Sequence, residues 1–295
     1  SWGDITYLIG GYGWKARFVD QNGYIITGDE SATTQYNFAN DFVDKPAEWV
    51  AYHPGEEKPY DCGVCHTTGY RAQGHQDGLE GIIGTWAAPG IQCEVCHGPG
   101  SRHSGDPYGV RMVLDRTSQA CGECHVRGNP ALIDASNGFE KHHEQYEDMY
   151  NSQHFAISCV TCHDPHASAK FADEDVNPNK GIVQVCESCH WENVRQKTSK
   201  HGRVDCIDCH MPPMGKSAQA DLELYRGDIR SHQFAINTDP EASQFNEDGS
   251  MVMPYLTLQY ACRQCHNGET GSALDSDRLA EEANGYHDQP TPTPE

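Results

Sequence analysis

The stretch Cys159-Val160-Thr161-Cys162-His163-Asp164-Pro165-His166 contains the pattern that decides the fold. Two cysteines separated by two residues, with a histidine directly after the second, are the spacing with which a chain attaches one c-type haem. The two thiols add to the vinyl groups of the porphyrin, and the adjacent histidine binds the iron as its proximal ligand. Zinc sites and disulfides also use paired cysteines, but neither requires that histidine.

The pattern occurs seven times and uses all 14 cysteines. The cysteines predicted to bind haem are Cys62, Cys65, Cys93, Cys96, Cys121, Cys124, Cys159, Cys162, Cys186, Cys189, Cys206, Cys209, Cys262 and Cys265. The predicted proximal iron ligands are His66, His97, His125, His163, His190, His210 and His266. The sequence therefore predicts seven covalently attached haems c and leaves no thiol for another purpose.

Histidine is abundant enough to supply a second axial ligand for every iron, because 17 histidines less seven proximal ones leave ten. Low-spin electron-transfer haems commonly have such a ligand. The predicted distal ligands are His75, His103, His142, His154, His166, His201 and His232. His143 is an alternative to His142, and His53 and His287 are the remainder. Methionine ligation, for example by Met211, stays open but is unnecessary.

The local setting of these histidines supports the selection. His154 and His201 each precede the first cysteine of a motif by five residues, and a repeated placement favours a repeated role. His166 follows His163 too closely to share its iron, so it would point to a neighbouring haem.

Composition indicates that cofactor surface replaces part of the core. Leu, Ile, Val and Phe make up 46 of 295 residues, and the formal net charge is −22. Such a chain lacks the apolar surface for a core of its own. Porphyrin would supply the missing surface. The negative charge argues against nucleic acid and anionic lipid as partners.

The predicted fold is mostly irregular or α, with little regular secondary structure, and is organised by a stacked haem array. Residues 1–55 are predicted to form a small β-hairpin region around Asn22-Gly23, packed on the haem domain or on a neighbouring subunit. Residues 56–295 are predicted to form one heptahaem domain, with short helices near 140–152, 192–200 and 273–283.

Several segments resemble the multihaem cytochromes c that include the cytochrome c554-like and hydroxylamine-oxidoreductase-like proteins. They are Cys62–Tyr70, Gly90–His103, His142–Tyr146, Cys159–His166 and Cys206–Pro212. The resemblance implies that His103 and His166 are distal ligands. Members of the family include enzymes and pure electron carriers, so the resemblance does not decide between them. In haem density and N-terminal extension the chain also resembles exported cytochromes, some of which form filaments.

The leading functional prediction is electron transfer without substrate chemistry, in a protein exported to the periplasm, the cell surface or the extracellular space. No stretch of the sequence is apolar enough to span a membrane, and the chain is read as a mature form. The expected partners are other redox proteins or extracellular electron acceptors, with an end-to-end homopolymer as a further hypothesis. No C-x-x-C-K motif, which enzymes of this class often use, is present.

The alternative is a multihaem oxidoreductase that acts on a small nitrogen or sulfur oxyanion at one open iron. Arg102, Arg127 and His53 are the first candidates to move protons in that case. A surface role or a contact with a haem propionate explains these residues equally well.

Overall fold

The computed structural model describes residues 2–171, 181–194, 201–202 and 204–288. The chain divides into two compact units, residues 1–115 with 217–219, and residues 116–216 with 220–295. The boundary predicted after residue 55 lies inside the first unit, where the strand Lys58–Pro59 pairs with the strand Tyr24–Ile25.

The first unit is built on a six-stranded antiparallel sheet. Its strands are β1 (Tyr7–Gly10), β2 (Lys15–Val19), β3 (Tyr24–Ile25), β4 (Gln35–Asn37), β5 (Glu48–Val50) and β6 (Lys58–Pro59). The strand order is β5-β4-β2-β3-β6, and β1 pairs with β2. The sheet is larger than the predicted hairpin region because residues 35–50 and 58–59 also contribute strands.

The turn between β2 and β3 lies at the predicted Asn-Gly pair. Gly23 has a φ of +93°, which glycine adopts without a steric penalty. The N–H of Asp20 donates to the Tyr24 carbonyl at 2.8 Å, which closes the turn. The unit's small apolar core consists of Val19, Ile25, Tyr60 and Ile82.

Short elements carry the two haem motifs of this unit. They are α1 (Gly63–His66), β7 (Thr67–Thr68), β8 (Ala88–Pro89), α2 (Cys93–His97) and α3 (Ser101–Gly105). Single 3-10 turns occur at Trp2–Asp4 and Gln76–Gly78. β7, directly after the first motif, pairs with β8, which lies shortly before the second motif.

The second unit contains a five-stranded sheet and two further short strands. The strands are β9 (Ile133–Ser136), β10 (Phe139–Lys141), β11 (Pro213–Asp221), β12 (Arg226–Arg230), β13 (Ile236–Asn237), β14 (Met251–Val252) and β15 (Leu256–Thr257). The order in the larger sheet is β12-β11-β10-β9-β14, with β10 and β11 parallel. Its core consists of Ile133, Ala135, Phe139, Met214, Val252, Leu256, Tyr260 and Ala261.

Most helices of the second unit are one or two turns long. They are α4 (Ser118–Gly122), α5 (Gln145–Tyr150), α6 (Ala167–Lys170), α7 (Trp191–Val194), α8 (Cys206–His210), α9 (Leu258–Cys262) and α10 (Ser276–Ala283). Turns of 3-10 helix occur at Cys159–Thr161, Cys186–Ser188 and Tyr286–Asp288. None of the helices in the described ranges is long and apolar enough to cross a bilayer.

Little regular secondary structure was predicted, and the chain has 24% helix and 23% strand. The distribution differs from the prediction in one respect, because β-structure is not confined to the N-terminus. The helix predicted over 140–152 begins as strand β10, and α5 covers only Gln145–Tyr150. The helix predicted over 273–283 is α10, whose N-cap Asp275 accepts from the Arg278 N–H at 2.8 Å. Of the helix predicted over 192–200, residues 195–200 lie outside the described part of the chain.

Candidate haem-binding site

Each haem motif begins or lies on one helical turn, which explains the spacing of its residues. In the third motif the N–H of His125 donates to the carbonyl of Cys121 at 2.9 Å. The same bond joins His163 to Cys159, again at 2.9 Å. In such a turn residues i, i+3 and i+4 lie on one face. Both thiols and the imidazole of a motif are thereby presented to the same side, as attachment to one porphyrin requires.

Hydrogen bonds orient several of the proximal imidazoles. Nδ1 of His97 lies 2.7 Å from the Val113 carbonyl, and Nδ1 of His210 lies 2.7 Å from the Phe234 carbonyl. Nδ1 of His266 has a longer bond, at 3.2 Å from the Ser272 carbonyl. A carbonyl accepts only, so Nδ1 carries the proton and Nε2 keeps its lone pair for a metal.

Five proximal histidines each lie beside a histidine from elsewhere in the second unit. The pairs and their ring-centre distances are His125 with His143 at 6.1 Å, His163 with His232 at 6.0 Å, His190 with His154 at 5.9 Å, His210 with His287 at 5.9 Å, and His266 with His201 at 5.9 Å. Two imidazoles that bind one metal ion from opposite sides, each at about 2 Å, have ring centres roughly 6 Å apart. The five distances match this arrangement.

The angles between the paired rings fall into two groups. Three pairs are crossed, with interplanar angles of 68°, 74° and 76° for the pairs of His190, His125 and His266. Two pairs are closer to parallel, at 25° for His210 and 37° for His163. Ligand-plane angle influences the electronic structure of a low-spin iron, so the two groups should differ spectroscopically.

The five partners overlap only in part with the sequence-based selection. His154, His201 and His232 were selected and each lies beside a proximal histidine. His143 lies beside His125, whereas the selection named its neighbour His142. His287 is not among the distal ligands predicted from the sequence, yet it lies beside His210.

Burial keeps at least one of these imidazoles neutral, which is the form that binds iron. Burial lowers the pKa of His232 to about 4, with His163 adding to the effect. Burial also lowers the pKa of His154 and of His163. Neutral imidazole is the form that ligates metal ions.

The remaining selected histidines lie in other settings. Nδ1 of His75 is 2.8 Å from the Ile82 carbonyl, and Nδ1 of His103 is 2.7 Å from the Val110 carbonyl. Both bonds leave Nε2 available, as in the proximal histidines. Nδ1 of His166 lies 3.5 Å from a carboxylate oxygen of Asp164. The ring centre of His142 is 4.3 Å from that of His143.

Apolar side chains beside the motifs lie exposed on the polypeptide. Val64 lies within the first motif, Val185 precedes the fifth and Trp191 follows it, and each is more than half exposed. Ile91, Phe155 and Val183 are exposed in similar positions. Exposed apolar surface of this extent usually marks a binding face. A porphyrin attached at each motif would cover these side chains, so the residues fit the cofactor that the motifs indicate.

Consecutive motifs of the second unit lie near one another at their cysteines. A hydrogen bond with Cys121 lowers the pKa of Cys159 to about 6, and thus joins the third and fourth motifs. Burial raises the pKa of Cys162, and the nearby thiols Cys186 and Cys189 of the fifth motif raise it further.

The contacts continue to the last motif. Burial and the Glu187 carboxylate raise the pKa of Cys186, and a hydrogen bond with Cys206 of the sixth motif lowers it. Burial raises the pKa of Cys262 to about 12, with Cys209 of the sixth motif adding to the effect. Motifs three to seven therefore follow one another in space in the order of the sequence.

Four buried carboxyl groups lie next to this series, and the sequence analysis did not single them out. Glu140, Glu144, Glu147 and Asp148 are at most 2% exposed. Burial raises the pKa of Glu144 to about 8 and that of Asp148 to about 7. The dense Glu/Asp pattern around His142-His143 was the available signal. Nothing in that pattern distinguishes a buried acidic cluster from a solvated one.

One oxygen of Asp148 fixes the backbone at His232, which belongs to one of the histidine pairs. Asp148 Oδ2 accepts from the His232 N–H at 2.6 Å and from the Ser231 hydroxyl at 3.1 Å. Hydrogen bonds to a buried carboxyl group hold both partners in one position. Asp148 thereby ties α5 to the segment that carries His232.

Two of the three residues considered for proton transfer, Arg127 and His53, have structural partners. Arg127 Nε lies 3.4 Å from Glu144 and 3.9 Å from Asp134. Its backbone N–H also donates to Glu147 at 2.6 Å. Arg127 therefore compensates buried negative charge. His53 is exposed and its Nδ1 lies 3.1 Å from Glu56.

Comparison with known proteins gives two family matches and a shared fold. Residues 32–98 match the family model of cytochrome c554 and c-prime, and residues 154–195 match the model of the doubled CXXCH motif. The octahaem sulfite reductase MccA of Wolinella succinogenes is similar with a TM-score of 0.60 and 17% identity, over 96% of this chain and 62% of that chain. The chain thus spans less than two thirds of MccA. No curated protein matches the sequence significantly.

Two further solved structures are similar. The outer cell wall cytochrome OcwA has a TM-score of 0.53 and 20% identity, over 95% of this chain and 74% of that chain. The undecahaem cytochrome from the S-layer of Carboxydothermus ferrireducens has a TM-score of 0.48 and 16% identity, over 95% of this chain and 53% of that chain.

The seven attachment motifs and the two family matches are those of multihaem c-type cytochromes, and the chain shares its fold with solved proteins of that class. Haem and iron binding and electron transport belong to that class.

Proposed function

We propose that the chain attaches seven haems c, one at each motif, and conducts electrons along them without transforming a substrate. The 14 cysteines of the motifs would form the thioether bonds, and the histidine that ends each motif would be the proximal ligand. When bound, haem supplies an iron that changes its charge by one electron. The polypeptide supplies attachment, axial ligands and an apolar cover.

The distal ligands in the second unit are proposed from the ring pairs. They are His143 for the third motif, His232 for the fourth, His154 for the fifth, His287 for the sixth and His201 for the seventh. His75 and His103, which belong to the first unit, remain as candidates for its two motifs, and His142 and His166 of the second unit are assigned to no iron. The Nδ1 bonds of His75 and His103 favour these two, because they leave Nε2 available.

The observation that carries the proposal is the set of five histidine pairs, one at each motif from the third to the seventh, because each pair can supply both axial ligands of one iron. Cysteines of consecutive motifs also lie near one another, which supports porphyrins that are neighbours in the array. Electrons then pass from one haem to the next without leaving the protein.

Residues 56–295 would form the haem-bearing region, with partners that are other redox proteins or extracellular electron acceptors. The formal charge of −22 favours partners with a positive surface. An exported, extracellular or periplasmic location agrees with the name of OcwA, an outer cell wall cytochrome. End-to-end polymerisation into a filament stays a prediction of the sequence.

Anaerobic reductive titration measures the number of haems, and turnover assays test the proposal against the enzymatic alternative. We expect the purified protein to accept seven electrons per chain, one for each motif. We expect no turnover of sulfite, nitrite or hydroxylamine, because no iron is open. Turnover of any of these compounds, together with a ligand-accessible haem, would establish the oxidoreductase in place of the carrier, and an electron count below seven would contradict seven attached haems.

A further inference from the structure

A short loop between β12 and β13, residues 230–236, contacts three consecutive haem motifs. Arg230 donates to the Ile207 and Met211 carbonyls, both at 2.9 Å, around the sixth motif. His232 lies beside His163 of the fourth motif. Phe234 lies beside His154, the partner of His190 in the fifth motif. This segment is called the ligand loop below.

The backbone of Phe234 positions a carbonyl oxygen at the sixth motif. Phe234 has a φ of +64°, a region that bulky side chains rarely occupy. In this conformation its carbonyl accepts from Nδ1 of His210 at 2.7 Å. A strong bond at Nδ1 makes the opposite nitrogen a more basic ligand and lowers the potential of the metal it binds. The unfavourable backbone conformation of Phe234 thus serves to orient His210.

The ring of Phe234 touches the imidazoles of two other sites. Its centre is 4.4 Å from that of His154 and 6.1 Å from that of His232. Nδ1 of His154 and Nδ1 of His232 are buried and have no hydrogen-bond partner among the described residues. Several proximal histidines are oriented by hydrogen bonds, whereas His154 must be oriented by packing, and His232 has a hydrogen bond with the Arg230 backbone in addition to its packing. Phe234 is the side chain that packs on both.

We propose that Phe234 is a positioning residue that sets the ligand geometry of three consecutive haems. Its carbonyl orients His210 at the sixth motif. Its ring fixes the imidazole plane of His154 at the fifth motif. It also limits the rotation of the His232 imidazole at the fourth motif. The inference rests on the proposed function, because it takes these histidines as axial ligands. It adds that one residue couples the electronic properties of the middle of the array.

Two substitutions test the contribution of the Phe234 ring and leave its backbone carbonyl in place. Phe234→Leu removes the aromatic surface, and Phe234→Tyr keeps it. We expect F234L to retain all haems but to change the electron paramagnetic resonance g-values of one or two low-spin haems and to shift their midpoint potentials. We expect F234Y to reproduce the native g-values and potentials. A purely structural role would move neither signal once the protein has folded.

A phenylalanine of the second core serves as the matched control. Phe245 packs against Tyr260 in the core of the second unit, with ring centres 5.8 Å apart. We expect Phe245→Leu to leave g-values and potentials unchanged. Because attachment depends on the cysteines, haem loss in F234L would indicate a folding defect and would count against the proposal. Native g-values and potentials in F234L, or equal haem loss in both variants, would overturn it.

The same measurements distinguish this proposal from the proposed function. A high-spin haem or fewer than seven haems in the native protein would defeat the proposed function directly. A native protein with bis-histidine haems and an unchanged F234L spectrum would defeat only the role of Phe234.

Discussion

Replacing His287 with alanine is expected to open one iron while leaving every haem attached. His287 is a C-terminal residue whose ring is 5.9 Å from that of His210 and nearly parallel to it, at 25°. Covalent attachment depends on Cys206 and Cys209, so the haem stays in place when the distal imidazole is lost. The oxidised variant should show a new high-spin signal of one haem per chain and bind one equivalent of cyanide.

His53 supplies the control for this experiment. It is an exposed histidine of the first unit that contacts Glu56 and has no predicted role as a ligand. H53A should keep the native spin state and bind no cyanide. If H287A remains entirely low-spin, His287 is not the ligand of the sixth haem. The assignment of ligands from ring pairs would then lose its basis.

Preventing haem attachment is expected to abolish folding. The two apolar cores contain only four and eight fully buried residues. The aliphatic and Phe content, 46 of 295 residues, offers little more to bury. The apolar side chains beside the motifs would stay in contact with water in the apoprotein. Small domains that cannot bury enough apolar surface depend on a bound group for stability.

The comparison is between the mature protein and a variant in which all 14 cysteines are replaced by serine. We expect the mature protein to unfold cooperatively in denaturant and to resist protease. We expect the variant to show a disordered far-ultraviolet circular dichroism spectrum and rapid cleavage. A cooperative unfolding transition in the variant would show that the polypeptide forms its own core.

Local features of this fold can be read from the sequence, and long-range ones cannot. The C-x-x-C-H spacing implies a helical turn, and all seven motifs have their cysteines and histidine in the spacing that such a turn presents on one face. The five-stranded sheet was not foreseen, because its strands are short and β10 pairs in parallel with the distant β11. Glu140 lies in that strand although its neighbours read as a helix. Tertiary pairing overrides local preference at this position.

The candidate site likewise has ligands that the sequence predicts and ligands that only the folded structure shows. A proximal histidine is defined by its adjacent cysteine, whereas a distal one is defined only by a contact across the fold. His142 and His143 are adjacent in the sequence, and only the backbone at His143, with a φ of +77°, turns that ring toward His125. His287 had no motif beside it to indicate a role. The ligand loop was likewise visible only after folding.

Electron paramagnetic resonance of the fully oxidised native protein tests the central claim most directly. Crossed imidazole planes give a low-spin iron with a large, highly anisotropic g-value, and near-parallel planes give a rhombic spectrum. Three crossed and two near-parallel pairs predict both classes of signal, in a ratio of about three to two among the haems of the second unit. We predict that all seven haems are low-spin. A stoichiometric high-spin signal would contradict a fully bis-histidine electron carrier, and the absence of the large-g class would contradict the three crossed ring pairs.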